Sequence, residues 1–227
     1  MNPSDPAAAG GAQGRRRERE ALEVPSREEI EALQPFAGID PARIVLVAGG
    51  EDVDAAHAAL AAQSHVGFDT EAKPTFLRGE RSEGPHVLQF ATLSRAYIFQ
   101  LHVPQAREAV AALLESTRLT KVGFGLESDK TQIRARLEVE PRAVLDLDAV
   151  FRARGYRKSV GLKAAVAIVF NQRFSKSKRI GTSNWSHRQL TERQLLYAAN
   201  DAFAAMQVFA ALEAERSLLP ADGAAWP

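Results

Sequence analysis

The chain contains no cysteine among its 227 residues, and it has only two methionines and two tryptophans. Without cysteine there are no disulfide bonds, no thiol nucleophile and no cysteine-ligated zinc. The longest wholly apolar run, 164–170, is too short to cross a bilayer. The first residues include arginines and glutamates but no apolar stretch, which is unlike a signal or transit peptide. We therefore expect a cytoplasmic protein with no membrane partner.

Positive charge is not in excess over the whole chain, whose net charge is +1, but it is unevenly distributed. Residues 152–193 contain eleven lysines and arginines against a single acid, Glu192, which gives a local charge of +10. Such asymmetry is typical of a surface that binds a polyanion. A solvated face balanced by acidic neighbours explains it equally well.

The composition, 45% hydrophobic and 25% charged, is that of an ordinary globular protein. We expect a disordered tail over 1–24, one domain over 25–219 and a short tail over 220–227. Hydrophobic patterns predict strands near 44–47, 66–71, 87–93, 97–101, 119–124 and 144–147. Helices are predicted near 26–33, 52–62, 105–115, 126–137, 148–154, 161–170 and 191–216. This order favours an α/β fold with a mixed five- to six-stranded sheet flanked by helices.

Four carboxylates stand where a soluble protein rarely places them. Asp69 and Glu71 end one apolar run, Asp129 follows another, and Asp201 lies inside an apolar helix. Residues two apart on a strand point to the same face, so Asp69 and Glu71 project together and repel each other unless a cation intervenes. Oxygen ligands suit hard ions, so the pattern predicts a Mg²⁺ or Mn²⁺ site.

Taken singly, each acidic motif also has a structural explanation. Tyr197 and Asp201 are four residues apart and share a helix face, where a core tyrosine beside an ion-paired aspartate would suffice. Asp129 falls in the first turn of a predicted helix, where the helix dipole favours a carboxylate. Their joint occurrence, in this order and on these elements, favours the metal site.

The motifs together resemble a known family. They read Phe68-Asp69-Thr70-Glu71, Val122-Gly123-Phe124-Gly125 leading to Asp129, and Tyr197-Ala198-Ala199-Asn200-Asp201. The combination is similar to the DEDD superfamily of 3′–5′ exonucleases, in the branch with tyrosine in the last motif that includes ribonuclease D and the Werner-syndrome helicase exonuclease domain. The segment 183–191, around Trp185, is also similar to ribonuclease D-like proteins. The resemblance covers about 40–215, and departs from many relatives at Gly125 and Gln189.

The resemblance implies an RNase H-like fold with two divalent cations, Mg²⁺ or Mn²⁺. Asp69 would bridge both ions, Glu71 and Asp201 would complete one site, and Asp129 would hold the second. Tyr197 would orient the attacking water. The implied substrate is a single-stranded 3′ end of DNA or RNA, and the product a nucleoside 5′-monophosphate. The length leaves no room for helical accessory domains, so we expect a stand-alone catalytic module. The sequence does not predict its oligomeric state.

Several further residues are candidates for binding nucleic acid. Terminal bases stack on aromatic faces, and phosphates pair with cations. The aromatic candidates are Phe76, Phe124 and Trp185, for which a place in the core is the alternative. The cationic candidates are Lys178, Arg179 and Arg188, for which a solvated loop is the alternative.

Two other functions are compatible with parts of the sequence. The stretch 123–128 follows a strand and opens a helix, and Asp146 lies about 20 residues downstream, as in dinucleotide-binding proteins. That interpretation leaves Asp69, Glu71 and the Tyr197/Asp201 pair unexplained. The second alternative is a non-catalytic nucleic-acid-binding module on the same fold.

Overall fold

The computed structural model describes residues 22–75 and 82–218. Its helices are α1 Arg27–Glu31, α2 Glu51–Ala61, α3 Pro104–Glu115, α4 Glu127–Leu137, α5 Leu147–Ala153, α6 Leu162–Phe170, α7 Lys178–Gly181 and α8 Glu192–Leu218, with one 3₁₀ turn at Pro41–Arg43. Its strands are β1 Gln34–Pro35, β2 Ile44–Val47, β3 His65–Glu71, β4 Val87–Ala91, β5 Ala96–Gln100, β6 Thr120–Gly123, β7 Val144–Asp146 and β8 Gln172–Arg173.

Six strands form one mixed sheet in the order β2-β5-β4-β3-β6-β7. Strand β4 runs antiparallel to both β3 and β5, and the remaining pairs are parallel. This confirms the predicted mixed sheet flanked by helices. The sequence did not predict β1, β8 or α7, because two-residue strands and a four-residue helix are too short to show a hydrophobic period.

Helix α8 forms the centre of the domain. Its small residues pack with the sheet positions Val87, Ala91 and Ile98 in one buried cluster. The opposite face of the sheet packs in a second cluster with residues of α2 and α3. By length and composition alone, the stretch Glu192–Arg216 could cross a membrane, but more than half of its most apolar window is buried inside the protein. Its apolar character is therefore accounted for by its position in the core.

Side-chain caps set the starts of the first and last helices. Ser26 and Glu29 form the predicted capping box at α1. At α8, the Thr191 amide donates to the side chain of Gln194, and the Gln194 amide donates back to the Thr191 hydroxyl. Each box satisfies amide groups that a helix start leaves without partners. The predicted start of α8 at Glu192 is confirmed, and this start fixes which residues of the helix face the sheet.

Strand β3 and helix α8 approach each other closely because residue 67 has no side chain. A Cβ built on Gly67 would lie 1.9 Å from the carbonyl oxygen of Ala202, inside any van der Waals contact. Gly67 is two residues before Asp69 on the strand and therefore shares its face. Ala202 directly follows Asp201 on the helix. The close approach thus positions these two carboxylates beside each other.

Candidate active site

Three carboxylates converge between β3 and α8. Asp69, Glu71 and Asp201 each place one carboxylate oxygen within 4.8 Å of the others. Glu71 and Asp201 are buried, whereas Asp69 is partly exposed. The period of two on β3 brings the first pair to one face, and α8 supplies the third from the facing layer. The structure therefore brings together three of the four carboxylates singled out in the sequence.

The fourth carboxylate lies beside this group rather than within it. Asp129 is in the first turn of α4, as predicted, and is buried. Its carboxylate accepts hydrogen bonds from the hydroxyls of Thr70, at 2.5 Å, and Ser128, at 3.3 Å. Thr70 points away from the face of Asp69 and Glu71, as the strand period predicts, and this orientation is what lets it reach α4. Its bond to Asp129 ties the fourth carboxylate to β3.

A lysine that the sequence did not assign to the site lies among the carboxylates. The Nζ of Lys176 is 2.7 Å from Oδ2 of Asp201 and 4.0 Å from Oδ2 of Asp69. It also lies 5.3 Å from the centre of the Tyr197 ring, within the range of a cation–π contact. In the sequence Lys176 is only one cation of a basic stretch, and its distance along the chain from Asp201 follows no helical or strand period. Only the tertiary fold identifies it.

Burial and mutual repulsion make the carboxylates hard to ionise. Burial, followed by the charge of Asp201, raises the pKa of Asp69 to about 8. Burial, followed by the charge of Asp69, raises the pKa of Glu71 to about 9. Burial raises the pKa of Asp201 to about 6, with Lys176 opposing the shift, and burial also raises the pKa of Asp129. A bound cation would relieve this repulsion.

The donor set fits a hard divalent cation. Oδ2 of Asp201 lies 2.7 Å from the Lys176 ammonium, whereas its buried Oδ1 has no hydrogen-bond partner among the residues described. Buried carboxylate oxygens without donors are costly, and metal coordination is one of the two usual remedies. The site offers carboxylate oxygens and no thiolate or imidazole from the converging group. Such ligands suit Mg²⁺ or Mn²⁺ better than zinc.

Tyr197 is held at the edge of the site by the segment before α8. A Cβ built on Gly181 would lie 2.6 Å from the Tyr197 hydroxyl oxygen, so the hydroxyl rests against bare backbone. The indole of Trp185 packs 5.9 Å from the Tyr197 ring, and its Nε1–H donates to the Gly181 carbonyl at 3.1 Å. Trp185 is completely buried. Of the two roles considered for Trp185, base stacking or a place in the core, the structure shows the core position and leaves the indole no exposed face on which a base could stack.

Two clefts meet at Asp201. The larger, of about 990 Å³, is lined by Tyr197, Arg179 and His187 among others. The smaller, of about 510 Å³, is lined by Asp69, Phe124, Lys163 and Lys176 among others. Asp201 lines both clefts and Asp69 lines the smaller one, so the smaller cleft gives access to two of the carboxylates and the larger cleft to one.

The remaining nucleic-acid candidates fall in different places. Phe124 is half-buried, stacks on Phe151 at 6.4 Å and still lines the smaller cleft. Lys178, Arg179 and Arg188 are exposed, and Arg179 lines the larger cleft. Phe76 lies outside the described residues. Phe124 and Arg179 are thus the two candidates that the structure brings to the clefts.

The structure argues against the dinucleotide-binding alternative, because both carboxylate oxygens of Asp146 are already hydrogen-bonded to backbone amides. Asp146 is the N-cap of α5, where its Oδ1 accepts from the Asp148 amide at 3.0 Å. Its Oδ2 accepts from the Leu126 amide, also at 3.0 Å. Both oxygens therefore hold backbone in place, and the ribose of a nucleotide would have to displace one of these bonds.

The sheet order, the buried central helix and the converging carboxylates define an RNase H-like α/β protein with a candidate divalent-cation site. The sequence profile of the family described as 3′–5′ exonuclease matches residues 44–216. The chain belongs to the 3′–5′ exonuclease family, which confirms the resemblance found in the motifs.

Curated relatives with this domain are much longer than the chain. The bifunctional 3′–5′ exonuclease/ATP-dependent helicase WRN of Mus musculus is 30% identical over 146 residues, covering 63% of this chain and 10% of that protein. The exonuclease mut-7 homolog of Homo sapiens is 31% identical over 227 residues, covering 85% of this chain and 25% of that protein. The chain thus spans a tenth to a quarter of these two relatives.

Solved structures share the fold. The EXO domain of Aedes aegypti Nibbler superposes with a TM-score of 0.68 at 24% identity, covering 81% of this chain and 93% of that one. Ribonuclease D of Trypanosoma brucei superposes with a TM-score of 0.67 at 20% identity, covering 74% and 64%. At these identities the similarity establishes the architecture, and the chemistry rests on the site itself.

Proposed function

We propose that the protein is a metal-dependent 3′–5′ exonuclease that hydrolyses phosphodiester bonds at the 3′ end of nucleic acid and releases nucleoside 5′-monophosphates. The convergence of Asp69, Glu71 and Asp201, with Tyr197 lining the same cleft as Asp201, is the observation that carries this proposal. Membership of the 3′–5′ exonuclease family supports the polarity.

Two divalent cations, Mg²⁺ or Mn²⁺, are the proposed cofactors. Asp69, Glu71 and Asp201 would hold one ion, and Asp69 with Asp129 would hold the other. Bound there, such ions act as Lewis acids that activate water and neutralise charge on the leaving oxygen. The raised pKa values of Asp69 and Glu71 support cation binding at this site. They reflect burial and repulsion between the carboxylates, and a bound cation would relieve that repulsion.

Tyr197 orients the attacking water rather than taking its proton. Burial, followed by the negative charge of Asp201, raises the pKa of the Tyr197 phenol above its usual range. The phenol is therefore neutral at physiological pH and acts through its hydroxyl as a hydrogen-bonding group. The contact with Gly181 restricts where that hydroxyl can lie.

Lys176 supplies a permanent positive charge to the site. Burial alone would lower its pKa, but the charges of Asp201 and Asp69 raise the pKa of Lys176 above its usual range. The ammonium therefore stays protonated and neutralises part of the carboxylate charge in the protein without metal. It lines the smaller cleft and would be available there to a substrate phosphate once cations occupy the carboxylates.

A single-stranded 3′ end is the proposed substrate. The exposed Arg179 lines the larger cleft, and the exposed Lys178 and Arg188 directly follow the lining residues Ser177 and His187 in the chain. Such cations suit a phosphate backbone. Phe124 in the smaller cleft offers a partly exposed ring to a base. A structure of Trypanosoma brucei ribonuclease D in complex with RNA U12 supports nucleic acid as the class of substrate.

Digestion of end-labelled oligonucleotides tests the proposal. Matched DNA and RNA strands carry the label at the 5′ or the 3′ end and are incubated with Mg²⁺, Mn²⁺ or EDTA. We expect 5′-labelled strands to shorten stepwise and 3′-labelled strands to release a labelled mononucleotide at once. In EDTA we expect no cleavage of either strand. The strand that is degraded faster, DNA or RNA, identifies the preferred substrate. Binding without shortening in either metal would contradict the proposal and identify a non-catalytic binding module.

A further inference from the structure

Gln89 is an exception among the buried glutamines of the domain. It is completely buried, and neither its amide nitrogen nor its carbonyl oxygen has a hydrogen-bond partner in the described parts of the chain. The other two glutamines that are buried within residues 22–75 and 82–218 have partners, since Gln100 donates to the His187 carbonyl at 2.9 Å and Gln194 donates to the Ser183 hydroxyl at 3.0 Å. A buried amide without partners is rare and requires an explanation.

The position of Gln89 connects it to the carboxylate site. On the paired strands β3 and β4, Gln89 lies directly opposite Asp69. Its neighbours at two-residue spacing, Val87 and Ala91, pack in the cluster that includes α8, so its side chain points to the same layer. Opposite residues of antiparallel strands have Cβ atoms roughly 4.5–5.5 Å apart, and a glutamine side chain is long enough to cross that gap.

One oxygen of Asp69 and one of Asp201 also lack a close hydrogen-bond donor among the described residues. Oδ1 of Asp69 accepts from the Thr70 amide, whereas the nearest cation to its Oδ2, Lys176, is 4.0 Å away. Oδ1 of Asp201 has no hydrogen-bond partner in the described residues, and Oδ2 is 2.7 Å from the Lys176 ammonium. An unused donor and unused acceptors therefore occupy the same layer between β3, β4 and α8.

We propose that Gln89 is a positioning residue of the cation site, whose amide hydrogen-bonds the Asp69 carboxylate when a divalent cation is bound. This inference rests on the proposed function, because it requires that Asp69 be a metal ligand. Groups that hydrogen-bond a metal ligand fix its orientation, and their loss weakens metal binding by about 10- to 100-fold. This bond would give the buried amide of Gln89 the partner that it lacks among the described residues.

The test compares Gln89→Met with the matched control Gln100→Met. Methionine keeps the length of the side chain and removes its polar atoms. Each protein is titrated with Mn²⁺ by calorimetry, and its melting temperature is measured in EDTA. We expect Gln89→Met to melt at or above the wild-type temperature in EDTA and to bind Mn²⁺ about tenfold more weakly. We expect Gln100→Met to melt lower and to keep the wild-type Mn²⁺ affinity.

An unchanged Mn²⁺ affinity in Gln89→Met, whatever its melting temperature, would overturn the role of Gln89. If that variant does not fold, Gln89→Leu replaces it in the same titration, with the same criterion. Absence of Mn²⁺ binding by the wild-type protein would instead overturn the proposed function, and the Gln89 role with it. Failure of the inference alone is thus distinguishable from failure of the function on which it rests.

Discussion

The hydroxyl of Tyr197 rests against the backbone of Gly181, where a Cβ would lie 2.6 Å from its oxygen. Gly181 is the last residue of α7, and Trp185 holds its carbonyl through the indole N–H. Because Gly181 has no side chain, the Tyr197 hydroxyl can lie against its backbone. A residue outside α8 therefore limits where this hydroxyl lies. This relationship makes Gly181 a sensitive probe of what Tyr197 does.

Gly181→Ala is expected to lower kcat by about 10- to 100-fold, because the new methyl group displaces the hydroxyl from the position at which it orients water. Strand affinity, measured by fluorescence anisotropy in Ca²⁺ to prevent cleavage, should change little. Tyr197→Phe should lower kcat with a similar lack of effect on affinity. The double variant should be no slower than Tyr197→Phe alone, since no hydroxyl remains to displace. Additive losses, or a loss confined to affinity, would contradict the water-orienting role.

Asp69→Ala is expected to abolish degradation while preserving the fold. Removing one carboxylate from the buried group also relieves repulsion with Glu71 and Asp201, so the melting temperature in EDTA should rise or stay unchanged. Circular dichroism and the oligonucleotide assay measure the two effects. Asp54→Ala, an exposed change on α2, is the control and should leave both unchanged. Activity near the wild-type level in Asp69→Ala would show that Asp69 is not a ligand.

The protein without metal should lose stability as pH rises between about 4 and about 9. In the folded state the pKa of Asp69 is raised to about 8 and that of Glu71 to about 9. An unfolded chain releases these protons near pH 4, so the folded state holds more protons throughout the window and its free energy of unfolding falls with pH. Stabilisation by Mg²⁺ should grow over the same window, because ligands must be deprotonated to bind.

Melting temperatures at a series of pH values, in EDTA and in Mg²⁺, measure this dependence. The Asp69→Asn/Glu71→Gln double variant is the control, and its curve in EDTA should be flatter than that of the wild type. Identical pH dependence in both proteins would show that these two carboxylates ionise in the folded state as they do in the unfolded chain.

Lys121→Met is expected to destabilise the protein by about 1–3 kcal/mol without changing activity in the folded population. Lys121 is completely buried in β6, and its ammonium donates to the carbonyls of Leu113, Ser116 and Leu119 at 3.1, 2.8 and 2.7 Å. These carbonyls include groups at the end of α3 that have no partner within the helix. Urea unfolding measures the change, with the exposed Arg118→Met as control. An unchanged midpoint would show that the three bonds contribute nothing net.

Local periodicity explains which parts of the site were predictable. The period of two on β3 predicted that Asp69 and Glu71 share a face, and the spacing of four on α8 linked Tyr197 with Asp201. Both patterns are properties of a single element and are visible in sequence. The mixed sheet followed in the same way from the order of its elements.

Contacts between distant segments were not predictable. Lys176 enters the site from the irregular segment between β8 and α7, where no period constrains the direction of a side chain. The sequence left both base stacking and a core position open for Trp185, and only the packing of the fold, which buries the indole completely, decides for the core. Gln89 lies opposite Asp69 because of the register of β3 against β4. All residues of β4 are buried, so an alternation of apolar and polar residues cannot predict this register from the sequence.

Anomalous diffraction from a crystal soaked in Mn²⁺ tests the central claim most directly, since it locates the ion and its ligands in one measurement. The account predicts anomalous density in contact with the carboxylates of Asp69, Glu71 and Asp201. A crystal that contains saturating Mn²⁺ but shows no density among these three side chains would contradict it.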